Sequence, residues 1–103
     1  MNARVQARQA RRARELDLEA RRLLWRCRRG MKELDVMLER FARGTLPRAS
    51  HGQRQALERL LALPDPLLAG YLLGETTPPE PRLARLTRVI RSYVAKQARS
   101  ALF

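Results

Sequence analysis

The densest cluster of recognition chemistry in this 103-residue chain is the run Arg28-Arg29-Gly30-Met31-Lys32-Glu33, with Asp35 just beyond it. A guanidinium offers paired donors to a carboxylate or a carbonyl, and glycine lets another backbone come close. Catalytic chemistry is harder to assemble. Cys27 and His51 are the only cysteine and histidine, so a metal centre with three or four Cys/His ligands cannot be built. A Cys–His nucleophilic pair would need a cleft and a third, orienting group. Cys27 lies on an apolar helical stripe and reads as a buried structural thiol, while His51 sits in a cap-like loop and is expected at the surface. Glu33 and Asp35, two residues apart on a helix, face different ways and make no acid/base pair. The glycines are scattered singly, without the spacing of a phosphate-cradling loop. The chain is therefore expected to have no active site of its own.

The elements that position this run are helical. Leu16, Ala20, Leu23, Leu24 and Cys27 recur at three- and four-residue steps and predict a first helix from Glu15. Gly30 interrupts the pattern at a helix junction. Met31, Leu34, Leu38 and Phe41 predict a second helix ending at Arg43-Gly44, with Gly44 in the left-handed C′ position. Ser50 and Gln53 resemble a capping box for a third helix with Leu57, Leu60 and Leu61 inward. Asp65 is expected to cap a fourth, with Pro66 at its first position, Leu67, Leu68, Tyr71 and Leu72 as its apolar face, and Gly74 at its end. A last helix spans Arg82 to Arg99, with Leu83, Leu86, Ile90 and Val94 inward. The expected fold is all-α, a small five-helix bundle covering 15–99, with a basic flexible arm at 1–14 and a short tail at 100–103.

Composition agrees. Apolar residues make up 45% of the chain and aromatics 5%, a mixture that suits helices better than strands. The net charge of +12 attracts anionic partners, and the row Arg82, Arg85, Arg88 and Arg91 has the charge of a nucleic-acid footprint. It lacks interleaved aromatics and any recognised binding motif. A basic nucleic-acid- or ribosome-associated protein is the alternative reading. No apolar run approaches the ~20 residues that span a bilayer, so no membrane insertion is expected. The single cysteine suits a reducing compartment, and a cytoplasmic monomer is the expectation.

The stretch from Trp25 to Asp35 resembles the signature of the SdhE family, the succinate dehydrogenase assembly factors that promote covalent attachment of FAD. The family's Arg-Gly-x-x-Glu motif falls on Arg29, Gly30 and Glu33. The flanking Trp25-Arg26-Cys27-Arg28 and Met31-Lys32-Glu33-Leu34-Asp35 agree as well. The resemblance extends more weakly over about 20–95 and implies a five-helix bundle acting as a chaperone. Its partner would be the flavoprotein subunit of succinate dehydrogenase or fumarate reductase, where FAD joins a histidine of that partner. The chain itself would need no catalytic residue and no stably bound cofactor. The partner-binding residues so implied are Arg28, Arg29, Gly30, Met31, Glu33 and Asp35. Arg29 would engage a carboxylate or carbonyl of the partner, Gly30 would permit close approach, and Glu33 would accept hydrogen bonds.

Overall fold

The computed structural model describes residues 3–101, and these form five α-helices and one 3-10 turn. They are α1 (Ala3–Arg26), α2 (Lys32–Thr45), the 3-10 turn Leu46–Arg48, α3 (His51–Leu61), α4 (Asp65–Leu72) and α5 (Pro81–Ala101). No strand occurs among the described residues. The all-α five-helix bundle expected from periodicity is the fold observed.

The core is a single cluster of buried leucines joined by Cys27, Phe41, Ala42 and Ile90. Leu38, Leu60, Leu68 and Ile90 are fully enclosed and come from α2, α3, α4 and α5. The longest interface joins α2 to α5, where the Phe41 and Tyr93 rings meet edge to face with centroids 5.7 Å apart. Polar groups also cross between elements. Arg54 of α3, 2% exposed, donates to the Leu46 carbonyl at 2.6 Å and approaches Glu19 of α1 at 3.9 Å.

Several helix ends obey the expected local chemistry. Ser50 and Gln53 form the reciprocal capping box at the start of α3. Gly74 adopts φ +77 and closes α4 in a Schellman motif, its N–H donating to Tyr71 O and that of Glu75 to Gly70 O. Other expectations need correction. The first helix begins at Ala3 rather than Glu15, so residues 3–14 of the segment expected as an arm continue α1, and residues 1–2 lie outside the described residues. Alanine, glutamine and arginine are good helix formers, and no glycine or proline interrupts them. The opposing charge–dipole effect costs only about 0.3–1 kcal/mol per charge. Leu16 lies on α1, with its side chain outside the described residues. The final helix runs past Arg99 to Ala101, and residues 102–103 of the expected tail also lie outside them.

Gly44 is not a C′ residue. It lies within α2, where a Cβ would overlap the Tyr93 hydroxyl, so a larger residue would have to displace that side chain of α5. Asp65 is the first residue of α4, and Pro64 holds the N-cap position. Leu67, expected inward, is 41% exposed, because a helix of eight residues packs only one narrow face. Leu38→Ala removes a fully enclosed side chain from the centre of the cluster. Chemical denaturation is expected to report a loss of about 2–5 kcal/mol.

Candidate functional site

Five residues, Cys27 to Met31, separate α1 from α2 and form a collar at one end of the bundle. The end of α1 tightens, with Cys27 N–H and Arg28 N–H bonding to the carbonyls of Leu24 and Trp25 at 3.1 Å each. Cys27 is fully buried and its thiol donates to Leu23 O at 3.3 Å. Burial, reinforced by the Glu39 carboxylate, pushes this thiol up to about 11. It is a structural thiol, as the sequence predicts, and it lacks the thiolate character of a nucleophile. His51 is exposed, also as expected.

Arg29 turns inward. Its Nε donates to Asp65 Oδ1 at 2.8 Å, and its two terminal nitrogens donate to Leu61 O at 2.6 Å and Leu63 O at 2.9 Å. Those carbonyls belong to the end of α3 and the turn after it, where helix geometry leaves acceptors without intrahelical donors. Asp65 explains its own departure from the N-cap role here, since its carboxylate is turned toward Arg29. The guanidinium thus fastens the collar to the α3–α4 junction. The resemblance implies a carboxylate or a carbonyl of a partner for Arg29; in the structure its side chain binds both kinds of group within its own chain.

Asp35 organises the other side. Its Oδ1 accepts from Arg29 N–H at 2.8 Å and its Oδ2 from Gly30 N–H at 3.1 Å. A carboxylate in the first turn of α2 is also favourably placed against the helix dipole. Gly30 itself has φ +82 and open space where a Cβ would stand. Glycine is required there by backbone conformation, with nothing of this chain in contact. Met31 is half-buried and packs against the core.

Four of the six predicted site residues therefore line or hold the collar, and Arg28 and Glu33 present their side chains outward. Around these two lie Lys32, Val36 at 42% exposure and Trp25 at 69%. The Arg28 guanidinium lies 5.1 Å from the Trp25 ring centroid, a cation–π contact that holds both side chains at the surface. Trp25 belongs among the surface groups of the collar. Its signal in the sequence is its rarity, as the one tryptophan of a chain with few aromatics. Asp65 left no comparable signal, because nothing local indicates a partner 36 residues away.

The arrangement holds no nucleophile–base pair. Among the described residues no group of three or more His, Cys, Asp or Glu side chains could hold a metal ion, and no helix is long and apolar enough to cross a membrane. The outward groups of the collar and its neighbours are instead an indole, two cations, a carboxylate and an open glycine.

Two outcomes follow from this geometry. Arg29→Ala leaves two carbonyls and a carboxylate without their donor and should cost about 2–3 kcal/mol in denaturant titrations. Arg29→Lys should recover only part, since an ammonium cannot reproduce the fork. The unfolded Cys27 thiol ionises near 9 and the folded one near 11. Stability should therefore fall as pH rises between those values, and Cys27→Ala should flatten that alkaline slope.

Residues 21–94 match the family model described as Sdh5, flavinator of succinate dehydrogenase. A FAD assembly factor SdhE of Methylococcus capsulatus is 46% identical over 77 residues, covering 75% of this chain and 93% of that one. That of Coxiella burnetii is 38% identical over 74 residues, covering 72% and 90%, and one from Legionella pneumophila is 40% identical over 74, covering 72% and 92%. The match takes in the end of α1, the collar, α2, α3, α4 and most of α5, and the chain belongs to the Sdh5/SdhE family.

Proposed function

We propose that this chain is an assembly factor that promotes covalent attachment of FAD to the flavoprotein subunit of succinate dehydrogenase, fumarate reductase, or both. It acts as a cytoplasmic monomer, holds no FAD stably, and supplies no catalytic group. The histidine that joins the flavin and the flavin itself belong to the partner. What supports this reading, beside the names of its relatives, is the construction of the collar. The N–H groups of Cys27 to Gly30 and the Arg29 guanidinium are bonded within the chain, and the collar's outward groups suit contact with another protein surface.

The work done is conformational selection. A factor that binds the attachment-competent conformation of a partner more tightly than other conformations raises its population by that ratio of affinities. A tenfold preference is worth about 1.4 kcal/mol. Trp25, Arg28 and Glu33 supply contacts, and the open φ +82 glycine admits the partner's backbone. Arg29 and Asp35 act through the shape they impose on the loop.

Loss of the gene should lower covalent flavin in the partner subunit, read as fluorescence of the denatured band under acid. Unchanged fluorescence would overturn the reading. Gly30→Ala and Gly30→Arg should share a backbone cost of about 1–2 kcal/mol, because any L-residue is strained in the left-handed region. Both should keep their helical circular dichroism. Only the arginine fills the open space, so Gly30→Arg should abolish flavinylation while Gly30→Ala retains a substantial part.

A further inference from the structure

A second surface feature lies away from the collar. The end of α2, the 3-10 turn, α3 and the first half of α5 border a groove of about 440 Å³. Phe41, Leu46, Leu57 and Leu86 form its floor, and Val89, 47% exposed, stands on its edge. Arg82 and Arg85 flank it on the α5 side. None of the residues lining it is acidic. Both arginines are exposed, and among the described residues neither has a carboxylate partner. The collar adjoins the opposite end of α3, where Arg29 meets Leu61, so α3 separates the two surfaces.

We infer that this groove docks an acidic, leucine-type segment of a protein partner. Charge complementarity selects the occupant: an apolar trough bordered by two unpaired guanidiniums suits side chains that alternate between hydrocarbon and carboxylate. The groove is partly open to solvent. A peptide can insert apolar side chains there and leave its polar backbone outside. An acyl chain laid in the same groove would leave much of its length in water. Nucleic acid is disfavoured because the one aromatic ring in the lining, Phe41, is 7% exposed and offers no stacking face. The inference is independent of the flavinylation reading, since it concerns different residues and an isolated peptide tests it.

The test titrates the full chain with a short fluorescein-labelled peptide of leucine and glutamate, followed by anisotropy and by amide NMR shifts. Binding should perturb Leu57, Leu86 and Val89 and leave Gly30 and Glu33 unmoved. The double variant Arg82→Glu, Arg85→Glu should weaken it tenfold or more. Arg88→Glu with Arg99→Glu, which changes the net charge equally on the outer face of α5, should weaken it less than threefold. A serine-and-glutamate peptide should not perturb the groove. Equal weakening by the two double variants, or equal binding of the serine peptide, would reduce the effect to net charge and overturn the proposal. So would absence of binding, or shifts in the groove produced by decanoate and not by the peptide.

Discussion

One guanidinium holds the loop between the first two helices in shape. Arg29 joins a loop between the first two helices to acceptors at the junction of the third and fourth. A helix C-terminus displays carbonyls that need donors, and a planar fork can satisfy two at once while pairing with a carboxylate. The same residue's N–H is held by Asp35, so main chain and side chain of one position are fixed by different elements, α2 and the α3–α4 junction. The collar cannot drift without breaking charge-assisted bonds in a partly buried setting, where they are stronger than in water.

This arrangement divides the Arg-Gly-x-x-Glu motif by role. Arg29 faces inward and builds the surface; Gly30 and Glu33 face outward and belong to it. Pre-organisation matters because ordering a loop at the moment of binding would subtract from affinity. Trp25 adds apolar area at the surface, and its stacking with Arg28 limits the side-chain freedom that docking would otherwise remove. A net charge of +12 would accelerate encounter with any acidic partner, but charge of that kind steers association more than it selects a partner.

Much of the fold was legible because it rests on local rules. Three- and four-residue spacing located the core faces of α2, α3 and α5, Ser50 and Gln53 announced their capping box, and Gly74 its left-handed turn. Features set by tertiary approach were not legible. Gly44 looks like a helix terminator in one dimension and is a notch for Tyr93 in three. Asp65 looks like an N-cap and is a counter-ion for a residue in another element. Arg29 was recognisable as important from its motif, yet its inward direction depends on where the end of α3 falls in space. The collar was thus found by pattern, while its internal wiring required coordinates.

The central claim is that the outward groups of the collar are the contact surface for the flavoprotein subunit. The direct measurement is calorimetric affinity between the purified chain and that subunit prepared without covalent flavin. Trp25→Ala and Glu33→Arg should each weaken binding at least tenfold while the thermal unfolding temperature stays nearly unchanged, and Arg88→Glu on the outer face of α5 should have little effect. Undiminished affinity in both collar variants would contradict the account.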